Sequence, residues 1–210
     1  MEANILNGHG PLCSLYEAKD GAFRSEGDSP AFMHQIRVGL RSTEDPTYGG
    51  WGGRFVREKP QSNTWRGAKD SGDLNKPIWR WAEAFQNDWA ARADWCVKDY
   101  DQANHPPIVK LDGPLDVKVT PGATVRLSAA NSSDPDGDEL RFNWWLYREA
   151  GTHLGQVSLS YNRGGAATVT TSGTARPGQT LHIICEVTDD GSPELTRYQR
   201  VIVEFANEGH

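Results

Sequence analysis

The run Asp99-Tyr100-Asp101-Gln102-Ala103-Asn104-His105-Pro106-Pro107 divides the chain into two unlike halves and constrains its fold more than any other feature. Paired prolines lack the N–H that a helix interior needs and push the residue before them into extended backbone, so no regular element continues through this point. The tryptophans are split accordingly. Six of the eight lie between Trp51 and Trp95, and the other two are adjacent, Trp144 and Trp145. The division places one part at 1–103 and a second at 104–210.

The second part reads as short strands separated by turn residues, with strands expected at 115–119, 124–129, 140–147, 156–161, 167–171, 180–188 and 197–205. In the sixth, Leu181, Ile183, Cys185 and Val187 alternate with His182, Glu186 and Thr188, the period of two that gives a strand one buried and one wet face. Pro121-Gly122 and Pro177-Gly178 fit type II turns, whose third residue needs positive φ. Seven such strands in about a hundred residues describe an immunoglobulin-like or fibronectin-like β-sandwich. Cys185 would face Leu127 rather than a second cysteine, so no inter-sheet disulfide is expected.

The first part reads as helix and loop. Behind a candidate N-cap at Asn75 and Pro77 in the first turn, Ile78, Ala82, Phe85, Trp89, Ala93 and Cys96 form one apolar stripe on a helix of about five turns. Trp79, Trp81 and Trp95 fall off that stripe and require cover from other protein. A second helix is expected from 30 to 40, and residues 41–71 read as a long loop around Gly49-Gly50-Trp51-Gly52-Gly53. The fold class is therefore α+β in two parts, a helix-and-loop part that is not a complete α/β domain followed by an all-β sandwich.

Composition excludes several functions. Lys and Arg number 22 against 28 Asp and Glu, with no basic tract to collect phosphates, so nucleic acid is not an expected partner. No apolar run reaches membrane-span length, and Met1-Glu2-Ala3-Asn4 has neither the basic end nor the apolar stretch of a signal peptide. Cys13, Cys96 and Cys185 are too few and too scattered for a zinc site or a disulfide framework, although a Cys13–Cys96 bridge stays open.

Several motifs together resemble a bacterial family of cellulose-binding proteins with a nucleoside-hydrolase-like domain and a C-terminal immunoglobulin-like domain. They are Asn7-Gly8-His9-Gly10-Pro11-Leu12, Glu26-Gly27-Asp28-Ser29-Pro30, Gly50-Trp51-Gly52-Gly53-Arg54-Phe55, Trp79-Arg80-Trp81-Ala82-Glu83-Ala84-Phe85, Asn104-His105-Pro106-Pro107, Ser133-Asp134-Pro135-Asp136-Gly137-Asp138 and Val187-Thr188-Asp189-Asp190-Gly191-Ser192-Pro193. The resemblance implies that this chain is the later part of such a protein, the first part being a remnant of an α/β domain that begins upstream. Met1 is then expected to be an internal start. It further implies an extracellular or periplasmic protein, a polysaccharide or saccharide ligand, and the rest of the nucleoside-hydrolase-like domain as a partner.

Candidate site residues follow from both lines. By the resemblance Asp28 occupies the place of a calcium- and ribose-binding aspartate, with Glu26 and His9 as neighbouring catalytic candidates. Gly27 stands where a histidine would be, and one carboxylate cannot supply the six to eight oxygens of a Ca²⁺ site. The bare sequence reading of Asp28 is a helix N-cap. Asp134, Asp136 and Asp138 alternate as in many calcium loops, yet Asp, Pro and Gly also make tight turns unaided, so Ca²⁺ is a possible cofactor with two readings. Strand alternation puts Trp144 in the sandwich core and Asn143, Trp145 and Tyr147 on the opposite face. There they form either a platform on which a sugar stacks or an interface with the first part. Trp51 and Trp65 either line a ligand cleft or plug the seam. The function this favours is non-catalytic carbohydrate binding. Its alternatives are part of a Ca²⁺-dependent glycosyl hydrolase and a purely structural docking module.

Overall fold

The computed structural model describes residues 32–207. In the second part seven strands form two sheets: β3 (Asp116–Val119), β9 (Thr196–Phe205), β8 (Thr180–Thr188) and β5 (Arg141–Leu146) in one, and β4 (Thr124–Ser128), β7 (Ala166–Thr171) and β6 (Val157–Tyr161) in the other. All ladders are antiparallel except β3 on β9, which is parallel. Gly122 and Gly178 have φ of 85° and 79°, the positive values that the two Pro-Gly turns demand. Between the sheets lies one core, built from Val125, Leu127, Trp144, Val169, Leu181, Ile183, Cys185, Val187, Val201, Val203 and Phe205. Trp144 is its largest ring, and its indole N–H donates to the Gly165 carbonyl at 3.2 Å.

The first part holds the outer face of the four-stranded sheet. A second core joins Val38, Leu40, Trp51, Trp81 and Ala84 to Tyr147, Ile184 and Tyr198 of the sandwich. The junction is also a backbone one: β3 pairs only with the end of β9, and beyond it Tyr198 and Arg200 donate their N–H groups to the carbonyls of Val38 (2.9 Å) and Gly39 (3.1 Å). Trp51, Trp81 and Tyr147 are all but inaccessible to solvent. At roughly 150–250 Å² per ring and about 25 cal/mol per Å², covering these three is worth on the order of 10–20 kcal/mol before entropy, which decides for the seam.

Four expectations for the first part are corrected. The single helix is two, α1 (Lys76–Trp79) and α2 (Ala82–Trp95), separated at Arg80-Trp81. The apolar stripe is not the buried one: Trp89 is 43% exposed and Cys96 is exposed, while Trp81, Ala84, Asp88 and Ala91 are buried. Asp88 can lie inward because Arg197 of β9 meets it at 2.6 Å and Arg92 caps its other oxygen at 2.6 Å. Of the helix expected over 30–40, only Phe32 and Met33 are helical among the described residues, and Val38 and Leu40 are spent on the sheet edge instead. The loop 41–71 contains a hairpin, β1 (Phe55–Arg57) with β2 (Trp65–Gly67). Cys96 and Cys185 are free thiols, while Cys13 lies outside the described residues.

Candidate functional site

The alternation along β5 is as the sequence dictates, but Trp145 and Tyr147 do not form an open platform. Tyr147 has 0% exposure, and its hydroxyl donates to Asp70 Oδ2 at 2.7 Å. Trp145 is half-buried, its ring 5.6 Å from Trp81 and 5.5 Å from Tyr147. Trp51, 1% exposed, sits against Phe85 and the Arg197 guanidinium, so it plugs the seam and offers no face to a ligand. Trp65 lies apart on β2 with Arg57 stacked over it at 4.6 Å. His9, Glu26 and Asp28 lie outside the described residues.

The seam is held by a buried ionic hub. Asp70, fully buried, receives Arg54 (2.7 Å), Arg80 (3.2 Å) and the Tyr147 hydroxyl. The Arg80 guanidinium sits over the Tyr147 ring, 4.2 Å from its centre, and also faces Glu149 at 3.5 Å. Burial pushes the Tyr147 phenol upward, so it stays a donor throughout the physiological range.

A second buried group joins the parts through β9. Arg200, 0% exposed, donates to the carbonyls of Leu40 (2.7 Å) and Gly49 (2.9 Å) and to His182 Nδ1 (2.8 Å). His182 must therefore be neutral, with Nδ1 as acceptor. Burial first, then the charges of Arg200 and Arg41, press its pKa from 6.5 down to about 3, and the Tyr48 ring edge closes its other side. Between these two values the unfolded chain binds a proton that the folded one rejects, so stability is complete above pH 6.5 and falls as pH falls. The expected loss from this one group is about 3 kcal/mol between pH 7 and pH 4. His182→Gln, which keeps an acceptor for Arg200, should flatten the acid limb in urea titrations. Equal acid losses in wild type and variant would show that another group carries the dependence.

Beside the hub lies a groove of about 310 Å³ between the start of α2 and the outer sheet face. Arg80, Glu83 and Asn87 form one wall, and Asn143, Glu186, Thr196 and Tyr198 the other. Asp70 and the Tyr147 ring fix the Arg80 guanidinium at its edge. Asn143 is placed by its neighbours, accepting from the Tyr161 hydroxyl at 2.9 Å and donating to Glu186 at 3.3 Å. At the mouth Arg141 forms a two-pronged pair with Glu194. With Arg80 and Arg141 set against Glu83, Glu186 and Glu194, an anionic ligand would meet more carboxylates than guanidiniums. Closely spaced donors and acceptors of this kind suit a neutral polyhydroxyl ligand, whose hydroxyls both give and take hydrogen bonds. Of the five sequence-predicted sugar contacts, Asn143 lines the groove and Trp145 stands beside it on the same strand face. The sequence showed Glu186 only as a wet-face residue of β8, and nothing local marked Arg80, Glu83 or Asn87.

Asp134, Asp136 and Asp138 come together, their nearest carboxylate oxygens within 4.8 Å of one another. This cluster sits at the other end of the seam, where His105 meets Asp136 at 3.1 Å.

Residues 124–205 match the family model described as cellulose-binding protein Sde0182, C-terminal domain, and residues 1–55 match that of the cellulose-binding Sde182 nucleoside hydrolase-like domain. Among solved structures, a nucleoside hydrolase-related hypothetical protein from Saccharophagus degradans, associated with carbohydrate metabolism, is 33% identical over 97% of this chain and 53% of its own, with a TM-score of 0.78. This chain thus spans about half the length of that bacterial relative. The PKD domain of the KIAA 1837 protein is 20% identical over 49% of this chain and 93% of its own, at a TM-score of 0.34. Titin domain M7 is 13% identical over 49% and 95%, at 0.30, and neither likeness carries weight below. No curated protein matches. Among the described residues no helix is long and apolar enough to cross a membrane.

Proposed function

With both halves matched by models of one family, the chain belongs to the Sde0182 type of cellulose-binding proteins, and from that premise we propose that it is the carbohydrate-binding, non-catalytic C-terminal portion of a longer extracellular protein. Its parts on this reading are the end of a nucleoside-hydrolase-like domain, 1–103, and the sandwich, 104–210. The rest of the first domain is its covalent partner upstream.

The observation that carries the reading to particular residues is the groove: Asn143, Glu186 and Arg80 present hydrogen-bonding groups beside the half-buried Trp145. A glucan ring held there has its hydroxyls met by amide, carboxylate and guanidinium. Trp145 supplies at most a ring edge, because Trp81 and Tyr147 take its neighbouring surface.

Sedimentation with insoluble cellulose tests this. The wild-type chain should pellet with the polymer, and Asn143→Ala combined with Glu186→Gln should weaken retention about tenfold, from two hydrogen-bonding groups at about 0.5–1.5 kcal/mol each. Neither residue belongs to a core cluster, so the melting temperature should hold. A wild-type chain left in the supernatant would favour the docking module, and full retention by the double variant would move the sugar site away from the groove. Trp145→Ala is a poor probe, because losing its packing on Trp81 would destabilise the seam as well.

A further inference from the structure

Three buried side-chain oxygens at the linker end of the seam have no hydrogen-bond donor: Asn104 Oδ1, Asp134 Oδ2 and Asp189 Oδ2. Each belongs to a side chain whose other atom is fully engaged. Asp189, with 0% exposure, uses Oδ1 for the N–H groups of Leu195 (2.8 Å) and Gly191 (3.2 Å) and for Asn104 Nδ2 (3.1 Å). Asn104, 8% exposed, gives the same Nδ2 to the Pro193 carbonyl at 2.7 Å. Asp134 Oδ1 accepts from the N–H groups of Asp136 (2.8 Å) and Asp138 (3.4 Å). Buried acceptors of this kind, all oxygen and drawn from the linker and two adjoining loops, suit a bound cation.

The surroundings agree. Asp136 and Asp138 add carboxylates within 4.8 Å of that of Asp134, and Asp190, beside Asp189, accepts the Glu139 N–H at 2.8 Å, which draws the two loops together. Among the described residues no lysine or arginine forms an ion pair with any of these five aspartates, and Arg141, the guanidinium nearby, is committed to Glu194.

We propose that Asn104, Asp134 and Asp189, with Asp136 and Asp138, form a calcium site that fastens the interdomain linker to two loops of the sandwich. The donors are all oxygens of mixed charge, one amide carbonyl among carboxylates, which is the ligand set of Ca²⁺ and not of Zn²⁺. Asn104 is the residue that makes the site more than a turn between strands. It comes from the linker, where its backbone carbonyl accepts the Trp95 indole N–H at 2.7 Å, so an ion bound here would lock the end of α2, the linker and the sandwich together.

The test uses the full chain stripped with EDTA. Millimolar CaCl₂ should raise its melting temperature by several degrees and give a one-site calorimetric isotherm, and Tb³⁺ should luminesce on excitation of Trp95. Asp136→Asn with Asp138→Asn removes two charges from partly exposed positions. It should lower the melting temperature in EDTA only slightly, through the His105 contacts of Asp136, and weaken Ca²⁺ binding roughly tenfold or more. No heat and no rise with Ca²⁺, an equal rise with Mg²⁺, or a full Ca²⁺ response in the double variant would each overturn the site.

Discussion

Replacing Asp70 with alanine should cost about 4 kcal/mol of folding stability, the scale for removing one partner of a buried ion pair. The carboxylate is fully buried and serves Arg54 at 2.7 Å, Arg80 at 3.2 Å and the Tyr147 hydroxyl at 2.7 Å. Without it two guanidiniums with little access to water face each other across a cavity, and the hydroxyl loses its acceptor. Glu149, 3.5 Å from Arg80, compensates one of them in part. Asp70→Asn should cost less than alanine, since an amide oxygen still accepts from Tyr147, though the charge imbalance remains. Urea unfolding measures both, and a double-mutant cycle with Tyr147→Phe isolates the link between the two parts of the chain. A loss below about 1 kcal/mol would mean that water reaches the guanidiniums and that the hub is a surface feature. The same variant should weaken cellulose retention, because Asp70 and the Tyr147 ring hold Arg80 at the edge of the groove.

The sandwich was legible because its code is local. Seven strands fall within a residue of their expected ends, since alternation along Leu181–Val187 and the Pro-Gly turns need no knowledge of distant partners. The first part was not legible, because its buried face is partly ionic. Hydrophobic spacing chose Trp89 for the core, whereas the inward position belongs to Asp88, made acceptable by Arg197 more than a hundred residues away. The hairpin of Phe55–Arg57 and Trp65–Gly67 has three residues per strand, too few to show a period. For the site, sequence pattern identified the face carrying Asn143, Trp145 and Tyr147 and left platform and interface open. Only the rings of Trp81 and Trp51, brought from the other part, decide that Tyr147 is interface. The aspartate triplet was visible from its spacing, but the buried Asn104 and Asp189 that give it a second shore become apparent only in three dimensions.

Gly39→Ala should be comparably severe, about 4 kcal/mol, and it addresses the joint itself. Gly39 has φ of 93°, a conformation that strains any side chain, and a Cβ there would lie 1.7 Å from the Tyr198 carbonyl oxygen of β9. Backbone strain of about 1–3 kcal/mol adds to a similar cost for displacing the neighbouring strand. Relief by moving β9 would disturb its ladder with β8, so the segment 38–40 must move instead. The bonds from Tyr198 N–H to Val38 and from Arg200 N–H to Gly39 would then break, together with that from the Arg200 side chain to Leu40. The sandwich core contains none of these residues, so the damage should be confined to the seam. Hydrogen exchange distinguishes the outcomes: amides of Tyr198 and Arg200 should lose protection, while those of Ile183 and Val203 keep theirs. Uniform loss of protection would instead make the two parts one cooperative unit, and an unchanged pattern would place residues 38–40 off the sheet edge in solution.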